Sequence, residues 1–473
     1  MTASLDMLNR DGKTSWDSLV NSVVPEFRHN TNNAEFQVTI REICSHRTGL
    51  LSLDEITQGL DGRILIDKKD IVKVGNAMPV KNSLRVGFLY NNGLFELTGH
   101  FQRDRIFEPL GMTRTTAFRD TDEIDENFTK SYMVLTDGTP FQVPTTALSA
   151  NSMNGGSGGV RSSVNNLLKW CHCLFASFGE NDANSTKGNL SLSNSNDAKG
   201  ILSRNSPIFN RCTISNTQDV KASDYCIGFC LHRTPAKLGL ISPNRSLLHP
   251  TLGAATPSVL VYGHQGDVPE NTCNLYIMPE TKSAVVVLFN GTGLSDSTDW
   301  IAQDIIQTLF GLQPNVDFLA NAIVASQLYL SYYAEHFEKP LASRRGSRPH
   351  PPELSYFVGN YVMETLDVAF INTVLHSDPD SGPELRMFVN GFEDQAMQLG
   401  HYRGDTFCYL PESYDECLKR GLDRAHHSEF LIRFGHDEWG IVGGLMWVLD
   451  VVERFFIRQA CSIESIVGSA GGV

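Results

Sequence analysis

The sequence predicts an α+β fold: a large region mixing helices with strands, followed by a small domain of antiparallel strands alone. Three observations carry this. The 473 residues exceed what one hydrophobic core ordinarily organises. The stretch EKPLASRRGSRPHPPE, Glu338 to Glu353, gathers prolines and arginines without a periodic apolar face, as an exposed connection between domains does. Beyond it the chain falls into short alternating apolar runs, whereas before it helical and strand periods are interleaved. The expected division is a first domain over 1–337, a linker over 338–353, a β-domain over 354–460 and a tail over 461–473.

Each element has a local reason. TASLDMLNRDGK opens on a helix, because Leu5 and Leu8 share a face, Ala3 and Met7 lie beside it, and Gly12 supplies a stop. TSWDSLVNSVVPEF, QVTIREICSHRTGLL, FLYNNGLFELTGH and IFEPLGMTRTT follow. NGGSGGVRSS lacks the Gly-Lys-Ser/Thr of a nucleotide loop, so its glycines form a backbone turn into the helix SVNNLLKW. Residues 176–205, rich in Ser, Asn and Gly, suit a solvated loop within the domain. Val261 to Asn290 holds a strand, a Gly-His-x-Gly turn and two further strands joined by Pro-Glu-Thr-Lys, before the amphipathic helix TDWIAQDIIQTLFGL. Then SYFVGNYV, DVAFINTVL, ELRMFVNG, FCYLP, EFLIRFG and GLMWVLD form the strands of the β-domain. The tryptophans are assigned to packing.

Composition narrows the function. With 53 acidic against 39 basic residues the net charge is −14, which repels a polyanion, so nucleic acid is not an expected partner. The ten cysteines are scattered with no C-x-x-C unit, so no metal and no cofactor are expected. Met1 leads straight into TASLDMLNRDGK without a basic-then-apolar leader, and no apolar run reaches the ~20 residues of a membrane helix. The expectation is a cytoplasmic protein, not bound to a membrane, that takes a small-molecule substrate or ligand.

In order along the chain, DGKTSWDSLVNSVVPEF, ICSHRTGL, the Tyr90-Asn91-Asn92 element, IFEPLGMTRT and GHQG resemble the serine β-lactamase and penicillin-binding-protein-like family. Specifically, they resemble its esterase-like fungal members with a β-rich C-terminal domain. The resemblance implies an antiparallel sheet flanked by helices, with a helical lobe across a cleft. It implies Tyr90, Asn92 and His264 as the catalytic residues. Tyr90 and Asn92 lie two apart, so on an extended segment they point the same way. A phenol works as a base near neutrality only where adjacent cations lower its pKa. His264 would present a polar group at the cleft rim, and Gly266 would let substrate backbone come close. Gln265 and Gly266 are substrate-binding candidates beside it, and Arg161 is a candidate for an acidic group on the substrate. His46 is expected to hold its loop in shape.

One part of the family pattern is absent from these residues, since no Ser in the chain is followed by Lys at the third position. By order along the chain that Ser-x-x-Lys is expected one or two turns before Ala3, together with an opening helix and two strands. The stretch between Asn92 and Pro109 is also shorter than the family's. Three readings stay open: a Ser/Lys hydrolase or acyltransferase acting on an ester, lactone, lactam or amide of a small molecule, with natural-product biosynthesis as a setting; a non-catalytic relative that binds a ligand or partner; and a proton-transfer enzyme using Tyr90 and His264. If two strands are missing from the sheet, SAVVVLFN is expected to show an exposed apolar edge.

The connector yields a test. Brief trypsin treatment should cut near Arg344, Arg345 or Arg348 and release a β-rich C-terminal piece of about a quarter of the chain. Cleavage confined to 176–205 would count against an exposed connector.

Overall fold

The computed structural model describes residues 2–29, 37–96, 103–117, 128–146, 153, 155–178, 201–202, 206–214, 223–345, 353–378, 382–422, 426–449 and 452–459. The chain forms two compact units, Met1–Ser52 with Met78–Leu330, and Leu53–Ala77 with Ser331–Val473. This differs from the expected division in two ways. The boundary falls inside the continuous helix Phe318–Tyr333 rather than after residue 337, and Leu53–Ala77 clusters with the second unit. A cut near residue 345 therefore nicks the second unit without excising it. The expected linker begins as helix Lys339–Arg344, and its centre, 346–352, lies outside the described residues, as does most of the 176–205 loop.

The first unit contains a small sheet in which β1 (Ser131–Val134) pairs antiparallel with β2 (Pro140–Val143). Its main sheet has six strands: β3 (Thr213–Ile214), β4 (Ser223–Tyr225), β5 (Cys230–Arg233), β6 (Leu260–Val268), β7 (Asn271–Met278) and β8 (Ser283–Phe289). They lie in sequence order and every pair is antiparallel. β9 (Gly291–Thr292) returns to run parallel with β1. The Gly-His-x-Gly segment expected as a turn is the middle of β6; the hairpin turns later, at Pro269 and Glu270.

Strand alternation gives this sheet two different faces. Tyr262 and Ile277 join one core with Ala3, Leu5 and Met7 of the helix Thr2–Arg10 and with Cys171 and Leu174 of Val164–Phe175. Val261, Tyr276, Met278 and Val285 join the opposite core with Trp300 and Ile306 of Ser297–Phe310. Gly263 is required where it stands, because a Cβ there would lie 2.3 Å from the Tyr276 ring. Asp296 caps the Ser297–Phe310 helix by accepting from Asp299 N at 3.0 Å, and Gly311 closes it at φ 58°.

The second unit is a closed barrel of eight strands, β10 (Gly359–Met363), β11 (Leu366–Asp378), β12 (Gly382–Val389), β13 (Met397–Arg403), β14 (Thr406–Cys408), β15 (Leu431–His436), β16 (Val442–Leu449) and β17 (Val452–Arg458). β10 pairs with β17 to close it. Tyr361, Ile371, Met387, Phe407, Ile432, Leu445 and Phe456 are buried within this unit. Two strands exceed the expected set. β13 is punctuated by Gly400 and followed by a Gly-Asp turn, and β17 carries Glu453, Arg454 and Arg458 among its apolar residues, so neither stood out as an apolar run. Trp439 is 79% exposed on the turn between β15 and β16, contrary to its assignment to packing.

Among the described residues β8 pairs only with β7, so its outer edge has no strand partner. Leu288 and Phe289 are exposed on it, as are Ile301, Ile305 and Leu309 in a stripe on the Ser297–Phe310 helix. No charge or proline interrupts SAVVVLF. Such an edge templates pairing with other chains. The chain should associate as concentration rises, and Leu288→Lys should shift light scattering toward the monomer. A wild-type chain that stays monodisperse at high concentration would count against an open edge.

Candidate active site

The helix Ile40–Cys44 starts on a capping box between Thr39 and Glu42 and ends where His46 turns into the left-handed region at φ 54°. From there His46 docks the neighbouring segment twice. Its carbonyl accepts from Leu89 N at 2.9 Å, and its Nδ1 accepts from Asn91 N at 3.1 Å. Asn91 turns inward, donating from Nδ2 to Leu50 O at 3.0 Å and capping the next helix, Asn92–Glu96, by accepting from Leu94 N at 2.8 Å. With Asn91 facing in, Tyr90 and Asn92 both face the cleft, as their spacing predicted.

His264 reaches the same cleft from β6, opposite Leu275 of β7. Its Nδ1 lies 2.5 Å from the Gln265 carbonyl, and a carbonyl can only accept, so Nδ1 carries the proton. In the neutral ring Nε2 then accepts from the Tyr225 hydroxyl at 3.2 Å. The four rings form one cluster. His46 lies 4.2 Å from Tyr90 and 5.2 Å from Tyr225, and His264 lies 6.1 Å from Tyr90, centroid to centroid.

Burial keeps three of these rings, His46, His264 and Tyr225, uncharged. It pushes His46 down to about 3, with His264 nearby adding to the effect, and it lowers His264 as well. Burial also raises the Tyr225 phenol well above its ordinary value, and the neighbouring Tyr90 adds to this. The cavity is about 300 Å³. Thr2 and Ala3 at the start of the first helix line it, with Phe95, Phe107, Met112, Trp170 and Phe229 as apolar walls and Gly156 and Ser157 at one side.

Three of the sequence candidates are not among the residues lining this cleft. Gln265 points to the opposite face of β6, where Nε2 donates to Tyr276 Oη at 2.9 Å and Tyr276 donates to Asp299 Oδ1 at 3.0 Å. The reason is alternation, since neighbours on a strand face opposite ways. Gly266 shares His264's face, but a Cβ there would lie 2.6 Å from Cys273 Sγ, so its missing side chain makes room for that sulfur. Arg161 exchanges backbone hydrogen bonds with Thr116 and donates its guanidinium to the Thr146 carbonyl. Two cleft residues were not among the site candidates. Tyr225 sits in SDYCIGFC without a motif. His46, expected only to hold its loop, does so and also lines the cleft.

The depressed histidines fix the sign of a pH dependence. Below pH 6.5 an unfolded His46 takes a proton that the folded one refuses until about pH 3. Its contribution to stability is complete above pH 6.5 and falls below it by about 1.4 kcal/mol per pH unit. His46→Leu should flatten that slope between pH 6.5 and 5 while lowering stability at pH 7.5 by about 1–3 kcal/mol, because Asn91 N–H is left without its acceptor. Denaturant melts at both pH values check this, and equal slopes in the two proteins would refute a neutral, buried His46.

The Beta-lactamase family model matches residues 2–308. Among solved structures, the octameric penicillin-binding protein homologue from Pyrococcus abyssi is similar over 96% of this chain and 85% of its own, at 14% identity and a TM-score of 0.45. A D-stereospecific amidohydrolase from Streptomyces sp. is similar over 65% of this chain and 82% of its own, at 15% identity and a TM-score of 0.45. A β-lactamase/D-alanine carboxypeptidase from Pseudomonas syringae is similar over 61% and 76%, at 14% identity and a TM-score of 0.42. No curated protein matches the chain. The family match spans well over half of the chain and takes in every element that builds the cleft, and the chain therefore belongs to the Beta-lactamase family.

Proposed function

We propose that the chain handles acyl compounds, as a hydrolase or acyltransferase whose cleft takes an ester, lactone, lactam or amide of a small molecule. The observation that supports this best is the convergence of Tyr90, Asn92 and His264 on one cavity at the N-terminal end of the helix Thr2–Arg10. An acyl carbonyl held there meets neutral donors from Asn92 and Tyr90. His264 acts through Tyr225, whose hydroxyl it orients by accepting its proton side, leaving the phenolic oxygen as an acceptor toward the ligand.

Covalent acyl transfer needs a nucleophile whose proton is removed as it attacks the carbonyl carbon, and the leaving group departs with a proton. Residues 1–473 contain no Ser-x-x-Lys, so we assign that step to no serine of this chain. The resemblance implies a pair just ahead of Thr2, at the helix end whose partial positive charge would favour a developing oxyanion. A non-catalytic, ligand-binding relative is the second reading. It is favoured by the absence of Lys and Arg among the described residues lining the cleft, because a phenol works as a base near neutrality only where an adjacent cation lowers its pKa.

Intact mass spectrometry separates the two. The chain as sequenced should form no adduct with a fluorophosphonate, a chromogenic ester or a β-lactam. A version extended by a Ser-x-x-Lys turn before Thr2 should acylate on that serine and turn over ester, and Tyr90→Phe should then cost about 10²–10⁴-fold in rate. An adduct on any serine of the present sequence would overturn the assignment. An extended chain that binds ligand but never acylates would favour the second reading.

A further inference from the structure

Building on that acyl-handling reading, we propose that the cleft selects neutral, apolar acyl compounds and rejects those bearing a carboxylate. The first ground is the lining itself. Among the described residues around the cavity there is no Lys, Arg, Asp or Glu. A carboxylate in a protein site is ordinarily met by Arg, Lys or a group of backbone N–H donors. The titratable groups on the cavity wall, Tyr90, Tyr225, His46 and His264, offer no such cation, because both histidines are kept neutral by burial.

The second ground is independent and concerns the backbone donors. Gly156 and Ser157, which line the cleft, turn their N–H groups onto Glu96 Oε2, at 2.5 and 3.0 Å. Glu96 is buried, at 1% exposure. The N–H pair that could have held an anion is already occupied by the protein's own carboxyl group. Arg161, the residue the sequence offered for an acidic substrate group, spends its guanidinium on the Thr146 carbonyl.

What the cavity does offer fits an uncharged acyl group. Phe95, Phe107, Met112, Trp170 and Phe229 supply apolar walls, while the Tyr90 hydroxyl and the Asn92 amide supply uncharged donors, enough to orient one carbonyl. A volume of about 300 Å³ sets the size at the small end of drug-like ligands. A carboxylate would leave water for this cavity without a counter-charge.

The test uses a matched pair differing only in that charge, benzylpenicillin methyl ester and benzylpenicillin, titrated calorimetrically against the full chain at pH 7.5. The ester should bind at least about 30-fold more tightly than the acid. Trp170→Ala should weaken ester binding about tenfold, locating it in the cleft. Val160→Arg, at an exposed position on the cleft lip, should raise affinity for the acid at least tenfold. Equal or tighter binding of the acid to the wild-type chain overturns this inference and leaves the acyl-handling reading standing, since that is decided by acylation of the extended chain. Binding of neither compound, or ester binding indifferent to Trp170→Ala, overturns it as well.

Discussion

Strand β6 is the constraint on which the cleft depends. It runs through the interior of the main sheet with β5 and β7 on its two sides, and its residues alternate between a polar anchor and the functional cavity. Gln265 and the Gly263 gap receive Tyr276 on one face, while Tyr262 and His264 project from the other. A shift of one residue in register would send His264 into the opposite core and Gln265 into the cleft. The Gln265–Tyr276–Asp299 chain therefore fixes where the imidazole stands without touching the cavity. The His264 ring is held further by Nδ1–H donating to the Gln265 carbonyl, so its orientation and tautomer come from the strand that carries it.

The anchor is itself costly to build. Asp299 is fully buried, and burial together with the adjacent Asp296 raises its pKa to about 6. It accepts from Tyr276 and from Asn244, while Asp296 accepts from Ser242, Thr298 and the Asp299 amide. A network of this kind makes an alternative register unfavourable, because each hydrogen bond it would lose in the core costs about 1–3 kcal/mol. The same carboxylate, Asp296, caps the Ser297–Phe310 helix, so helix start and strand register are set by one cluster.

On the cleft side the chemistry is the reverse, a set of polar rings held neutral. Tyr90, His46, Tyr225 and His264 pack ring against ring, and no cation from the described lining compensates a charge. Such a site can orient a carbonyl and pass hydrogen bonds along Tyr225 and His264, but it does not by itself create a strong base. That division, a preorganised neutral cradle on one hand and a nucleophile–lysine pair absent from residues 1–473 on the other, is the central chemical fact about this molecule.

Much of this was legible before any coordinates. The ordered motifs identified the family, the alternating runs after residue 353 identified a β-domain, and the two-residue spacing of Tyr90 and Asn92 placed both on one side of their segment. Local periodicity determines such features, because side-chain direction follows directly from backbone type. Only the tertiary structure decided the rest. It moved Gln265 and Arg161 out of the site, brought Tyr225 and His46 in, and gave the Gly156 and Ser157 amides to Glu96. Those outcomes depend on contacts between residues such as 46 and 91, 96 and 156, or 225 and 264, which are far apart in the chain and share no local pattern. The sequence by itself determined which chemical groups were present and which way each could face; the packing of strand on helix determined which of them meet, because hydrogen bonding and burial are settled by neighbours in space.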